Sequence, residues 1–442
     1  MKKILVIGAG RSAVTLIKYL LDNAKANNWF VRVADFLEDS AKEAVANHSS
    51  GKAIFFNVTD DMQRESEISD SDIVISMLPT RMHILVAKDC VRLGKNLVTA
   101  SYVSKEIFAL DEKAKNTGII LLNEIGLDPG IDHMSAMQVI DSIKENGGEL
   151  TSFKSFCGGL VHPDFDNNPW NYKFTWNPRN VVLAGKGTAQ YIKHGRYKYI
   201  PYHKLFERTE IISVLNAGEF EGYANRDSLS YRKAYGLDKI PTLLRGTLRR
   251  KGFCKSWNMF VQLGMTEDTY VVENTENMTY REFTNLFFPF NNKCTVEKKF
   301  CDYLNISVDS DEFKKAKWLG IFIDKKVGIK DATPAKILQK ILEEKWSLAS
   351  QDKDMIVMQH QFEYVQDGEL KKLNSSLLVF GDDPRYTSMA KTVGLPVAIA
   401  TKLILNGDIN SVGVKIPTTK DIYSPVLKEL EENGINFVEE LV

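Results

Sequence analysis

Ile4-Leu5-Val6-Ile7-Gly8-Ala9-Gly10-Arg11-Ser12-Ala13 is the stretch on which the reading of this chain turns. Its four apolar residues are few and largely β-branched, as in a strand buried on both faces, and they stop at a Gly8-x-Gly10-x-x-Ala13 turn. Gly8 permits the tight turn, and Gly10 lets a pyrophosphate approach the backbone. Small Ala13 lets the next helix pack close, with its N-terminal N–H groups toward the phosphates. A glycine turn of this kind also arises from packing alone, so its context decides. Val14, Leu16, Ile17, Leu20 and Leu21 repeat at helical spacing over residues 12–24. Phe30-Val31-Arg32-Val33-Ala34-Asp35 then reads as a second parallel strand ending in an acid. Asp35 falls where a carboxylate accepts hydrogen bonds from the adenosine ribose hydroxyls and repels a 2′-phosphate. NAD is therefore favoured, with NADP kept as the alternative by Arg11 and Arg32.

At 442 residues the chain exceeds one ordinary domain, and two or three are expected. Hydrophobic residues make up 44% and charged residues 26%, as in a globular protein with sizeable cores. Lysine plus arginine equals aspartate plus glutamate at 57 each, so no net field points toward nucleic acid or an anionic membrane. The sequence shows no signal-peptide pattern at Met1 and no apolar run near the roughly twenty residues of a membrane span, and a cytoplasmic location is expected. Five scattered cysteines form no CxxC pair, which argues for reduced thiols and no metal site.

Further strands are predicted at Ala53-Ile54-Phe55-Phe56, Ile73-Val74-Ile75-Ser76, Asn96-Leu97-Val98-Thr99-Ala100 and Ile119-Ile120-Leu121-Leu122, with helices between them. That alternation predicts a doubly wound parallel sheet, whose ligand lies outside the carboxyl ends of the strands. The cofactor set read there is Gly8, Gly10, Arg11, Ser12, Ala13 and Asp35 from the first half. Asn57, Ser76, Leu78, Ser101 and Leu127 come from the later loops. The stretch from Asn123 to His133 concentrates Glu124, Asp128, Asp132 and His133 before a helix reaching about Lys144. Over residues 150–265 strand-like pieces, including Ser152–Cys157, Val181–Ala184 and Ile211–Val214, suggest a mixed sheet. The aromatic loop through Trp170, Tyr172, Phe174 and Trp176 reads as a binding wall, from which Phe174 and Trp176 join the cofactor set. Residues 258–350 look helical, with Thr333-Pro334 as cap and first turn; a hairpin turns at Gln366-Asp367-Gly368. The tail from Tyr386 reads as helical, then a short piece Gly413–Ile416 and a helix near 422–433 follow.

The chain resembles the saccharopine dehydrogenase (glutamate-forming; saccharopine reductase) family along essentially its whole length. The resemblance rests on Gly8 to Ala13, Thr99-Ala100-Ser101-Tyr102, Asn123 through His133, Phe156-Cys157-Gly158-Gly159, Asn225-Arg226-Asp227-Ser228 and Leu243 through Arg249. It implies a Rossmann domain over 1–125, completed by about 386–442, a mixed α/β domain for substrate binding and dimerisation over 126–257 and 351–385, and a helical insert over 258–350. The implied reaction interconverts saccharopine with L-glutamate and 2-aminoadipate 6-semialdehyde by hydride transfer with a nicotinamide, in lysine metabolism. A homodimer is implied as well. The sequence departs from the family pattern at Val161-His162-Pro163 and at Ala224, where a proline is usual.

Saccharopine carries three carboxylates and two nitrogens, so its pocket needs cations. Arg226, Arg245 and Arg249 are the guanidinium groups in motif context, each able to grip a carboxylate through two hydrogen bonds. Thr247 adds a hydroxyl donor. Ser101, Tyr102, Asp128 and Cys157 complete the expected substrate contacts, with Asp128 toward the amine and Tyr102 toward a carboxylate as the candidate catalytic pair. Asp132 fits helix capping as well as chemistry, and His133 fits a packed residue. Two other readings stay open: a carboxynorspermidine dehydrogenase-type enzyme, which needs fewer arginines, and a non-catalytic NAD-binding protein.

Overall fold

The computed structural model describes residues 1–442. Strands β1 (Lys2–Ile7), β2 (Trp29–Asp35), β3 (Gly51–Phe55), β4 (Ile73–Ser76), β5 (Asn96–Val98) and β6 (Ile120–Leu122) alternate with helices as the periodicity predicts. The chain continues through β7 (Glu149–Val161), β8 (Ala189–Lys193), β9 (Arg196–Ile200), β10 (Thr209–Ser213), β11 (Glu219–Ala224) and β12 (Thr242–Arg250). Five helices separate these from β13 (Asp354–Gln366), β14 (Glu369–Phe380), β15 (Gly413–Lys415) and β16 (Phe437–Leu441). Two compact units result. One comprises Met1–Leu150 with Glu363–Val442, and the other comprises Thr151–Phe362.

In the first unit seven strands lie parallel in the order β15-β6-β5-β4-β1-β2-β3. The order reverses between β1 and β4, which opens the crevice where doubly wound sheets hold ligands. Ile4, Leu5, Val6 and Ile7 are wholly buried, as a strand covered on both faces requires. A single 3₁₀ turn over Arg11–Ala13 leads into the helix Val14–Asp22, whose Leu16, Ile17, Leu20 and Leu21 face the core. That helix meets Ser388–Asn406 so closely that a Cβ on Gly394 would lie 2.9 Å from the Leu16 backbone nitrogen. Ser388–Asn406 corrects one expectation, since it is long and apolar enough to cross a membrane by length and composition. Most of it is buried in the core of this unit, which accounts for its apolar sequence. Gly413–Lys415 proves to be a seventh strand beside β6, and β16, unmarked in the sequence, pairs antiparallel with β14.

The second unit holds a mixed sheet in which β12 runs parallel to β7 and antiparallel to β11. The expected strand at Val181–Ala184 is instead the end of a short helix, Pro178–Val182. Asn177 caps it through the Arg179 amide and Pro178 occupies the first turn, so local capping overrides the β-branched pair Val181-Val182. Helices Phe253–Leu263, Tyr280–Asn285, Val296–Leu304, Asp311–Leu319 and Pro334–Trp346 fill the stretch expected to be helical. Trp170, Tyr172, Phe174, Phe253, Trp257 and Trp346 stack edge and face around one aromatic core. Thr333 caps Pro334–Trp346 by accepting from the Lys336 amide, as the sequence predicts.

Candidate active site

At the glycine turn of the first unit, Gly8 has φ +106°, and a Cβ there would sit 2.8 Å from the Met77 carbonyl oxygen. Only glycine fits. Gly10 has nothing within 4 Å of where its Cβ would be, so its backbone lies open to a ligand, while Ala13 is buried beneath it. No side chain caps the start of the turn at Gly10, which leaves the amides there to an incoming anion. The Asp35 carboxylate accepts from the Ala9 amide (2.7 Å) and the Leu37 amide (2.8 Å). One bond per oxygen holds it rigidly and leaves lone pairs for ribose hydroxyls. Beyond it Phe36 and Phe55 stand 64% and 48% exposed with ring centroids 5.7 Å apart, an aromatic pair that sequence reasoning missed. Lys42 pairs with Glu38 and Asp39, and Arg32 is buried and paired with Glu67 and Asp70, whereas Arg11 at the turn is exposed without an acidic partner.

Around the ends of β4, β5 and β6 the expected residues divide by exposure. Ser76 is wholly buried, and its hydroxyl lies 2.8 Å from Nδ1 of His83, whose Nε2 lies 2.7 Å from the Ser101 hydroxyl. His83 was not among the sequence candidates. A lone histidine at the start of a helix gives no signal of its own. Burial holds the imidazole neutral by pushing its pKa down to about 4. Asn57 spends its side-chain oxygen on Thr59, and Leu127 is buried. Leu78 is half-buried beside the turn, and Arg11 is exposed. The Tyr102 hydroxyl donates to Asp128 across 3.4 Å, which brings the two candidate catalytic side chains together. Glu124 accepts from the Val103 amide at 3.0 Å and lies 2.9 Å from Nε2 of wholly buried His133, so it fastens the Tyr102 loop. Asp132, the second residue of the helix Ile131–Glu145, accepts from the Gly130 amide at 2.6 Å, while the helix start itself has no side-chain cap.

In the second unit Arg245, Thr247 and Arg249 alternate along β12 and therefore share one face of the sheet. Tyr223 on β11 and Cys157 on β7 both sit opposite Thr247. Arg249 is 4% exposed, with its guanidinium over the rings of Tyr172 (5.3 Å), Phe253 (5.5 Å) and Tyr223 (5.9 Å). Its Nη1 donates to the Leu248 carbonyl at 2.9 Å, and its Nε and the Tyr172 hydroxyl have no hydrogen-bond partner. Burial raises the pKa values of Tyr172 and Tyr223, so both remain hydroxyl donors. Arg245 lies buried over the Tyr231 ring at 4.0 Å. Arg226 is exposed at φ +23° beside β12, where the neighbouring Asn225 amide donates to the Arg245 carbonyl at 2.7 Å. Phe174 is 2% exposed and packs on Trp346 and Tyr172, and Trp176 is half-buried. Core packing thus occupies the Phe174 ring.

A family model described as the saccharopine dehydrogenase NADP binding domain matches residues 4–122, and one described as the saccharopine dehydrogenase C-terminal domain matches 126–435. The chain is 35% identical over 455 residues to "Saccharopine dehydrogenase [NADP(+), L-glutamate-forming]" of Saccharomyces cerevisiae, covering 100% of this chain and 99% of that protein. It is 34% identical to "Alpha-aminoadipic semialdehyde synthase, mitochondrial" of Mus musculus, covering 99% of this chain but 47% of that one. It thus spans about half the length of the mammalian relatives and nearly all of the fungal ones. Among solved structures, apo saccharopine dehydrogenase (L-Glu forming) from Saccharomyces cerevisiae superposes with a TM-score of 0.90 at 32% identity, covering 100% of both chains.

Proposed function

The chain belongs to the saccharopine dehydrogenase family, and from that premise we propose that it interconverts saccharopine with L-glutamate and 2-aminoadipate 6-semialdehyde by hydride transfer with a nicotinamide dinucleotide. The observation that carries the proposal is Arg249. A buried guanidinium without an acidic partner is costly until an anion meets it, and saccharopine brings three carboxylates. Arg245 and Thr247 extend that face of β12, and exposed Arg226 supplies a further cation for a carboxylate. A carboxynorspermidine-type substrate, with fewer carboxylates, would offer fewer groups to Arg249 and exposed Arg226.

Gly8, Gly10 and Ala13 fit a dinucleotide, with the pyrophosphate against the turn and Asp35 on the adenosine ribose. Fungal relatives carry NADP(+) in their names. The matching family model and these names favour NADP; against them we set the Asp35 carboxylate at the ribose position, and on that ground propose NAD for this chain. Bound NAD supplies the hydride acceptor. The residues of the chain bind and orient. In the first unit Asp128 is the candidate for the secondary amine and Tyr102 for a carboxylate; in the second the arginines are the candidates for carboxylates. The homodimer of the family forms part of the same proposal, with sedimentation of the full chain as its check.

The test is absorbance of the reduced cofactor when the protein meets saccharopine with NAD, and separately with NADP. Turnover with NAD well above that with NADP is expected. No signal with saccharopine alongside a signal with carboxynorspermidine overturns the substrate assignment, and no turnover with either overturns the enzyme.

A further inference from the structure

Three side chains at the ends of β4 and β5 form a chain of two hydrogen bonds, Ser76 to His83 to Ser101, at 2.8 and 2.7 Å. A neutral imidazole has one N–H donor and one bare acceptor nitrogen, so the two serines cannot play the same part. Which serine gives and which receives follows from burial. Ser76 has no exposed surface, and its hydroxyl contacts only Nδ1 of His83. A buried O–H without an acceptor costs about 1–3 kcal/mol. Its proton therefore goes to Nδ1, which must be bare, and the imidazole hydrogen sits on Nε2. That N–H donates to the Ser101 oxygen, which leaves the Ser101 proton directed elsewhere. Ser101 is half-buried at the rim of the sheet, and its backbone is held by its own amide on Thr99 Oγ1 (3.3 Å) and by the Glu124 amide on its carbonyl (3.0 Å).

We propose that His83 is a positioning residue fixed in the Nε2–H tautomer, and that by donating to the Ser101 oxygen it leaves the Ser101 hydrogen directed to an acceptor oxygen of the bound ligand. That oxygen is either a saccharopine carboxylate or the carboxamide carbonyl of the nicotinamide. Both accept and neither donates through oxygen, so a serine whose hydrogen is free to donate suits either. The inference rests on the reading that Ser101 touches ligand, and its test separates the two.

Nitrogen-15 spectra of the full chain labelled at histidine, with His83 assigned by its loss in His83→Gln, read the tautomer directly. A protonated Nε2 with a bare Nδ1 is expected, and the reverse pattern overturns the proposal. In steady-state assays Ser101→Ala and His83→Leu should each raise one KM about tenfold, with the double variant no worse than either single one. His83→Gln, whose amide nitrogen reaches the place of Nε2–H, should restore most of the loss, which a merely space-filling role for His83 would not give. A rise confined to the saccharopine KM identifies a carboxylate as the acceptor, and a rise confined to the NAD KM identifies the carboxamide. If Ser101→Ala leaves both KM values unchanged, the placement of Ser101 in the site fails. If Ser101→Ala raises a KM and His83→Leu does not, only the role of His83 fails.

Discussion

Arg249 carries a charge that the fold leaves unneutralised, and that fact makes stability and binding move in opposite directions. Replacing it with methionine removes a buried ion and keeps most of the volume, so the unliganded protein should unfold at the same or higher urea concentration. The saccharopine KM should rise about 10- to 100-fold, from the roughly 1.5–3 kcal/mol of a charged hydrogen bond. A parallel fall in stability would mark Arg249 as structural. Arg226→Met, at an exposed position, should raise the saccharopine KM with the NAD KM unchanged. His83 gives a pH dependence. Its folded pKa is depressed to about 4, below an unfolded value near 6.5, so the unfolded chain binds the proton first as pH falls. Its contribution to stability is intact above pH 6.5 and declines by about 3 kcal/mol as pH drops toward 4. Urea midpoints of wild type and His83→Gln compared from pH 7.5 to 4.5 check this, with the steeper loss expected in the wild type.

At the scale of the element, β12 shows how a strand keeps its face open. Phe156 on β7 stands opposite Gly246, and a Cβ on that glycine would come 2.5 Å from the ring and 2.8 Å from the Tyr223 carbonyl oxygen. Gly222 on β11 clears the same ring, its Cβ falling 2.9 Å away. Glycines on two strands make room for Phe156, which leaves the arginine-bearing register of β12 undistorted. Gly246→Ala should therefore cost about 1–3 kcal/mol by urea unfolding and raise the saccharopine KM through displaced Arg245 and Thr247, with NAD affinity intact. Arg245, Thr247 and Arg249 were picked out by motif, but the strand that sets them on one face was not read from the sequence, although Arg245-x-Thr247-x-Arg249 has its period of two. The glycine turn, the acid at Asp35 and the strand-helix alternation were legible in the first unit, where each apolar run is bounded by its own turn residues. Val181-Val182 misled because strand preference reports half-buried packing, and Asn177-Pro178 imposed a helix first. His83 and the Phe36–Phe55 pair were invisible for another reason: their partners are 18 and 19 residues away in sequence and meet only where parallel strands end.

At the scale of the molecule, the glycine turn with Asp35 and the arginine face belong to different compact units, so each ligand should leave its mark on its own stretch of chain. A ligand that binds only the folded state stabilises it by mass action, about 2.7 kcal/mol at a hundred times its Kd, and slows local opening where it touches. In hydrogen exchange of the full chain, NAD alone should protect the turn at Gly8 to Ala13 and the segment around Asp35. L-glutamate or saccharopine alone should protect β12 between Arg245 and Arg249 together with the segment at Arg226. Because Arg249→Met removes the anion's partner without touching the glycine turn, it should abolish the second pattern and leave the first intact. Protection of β12 by NAD alone, or of the glycine turn by saccharopine alone, would show that the ligand stretches have been wrongly assigned. Loss of both patterns in Arg249→Met would instead trace the kinetic defect to unfolding.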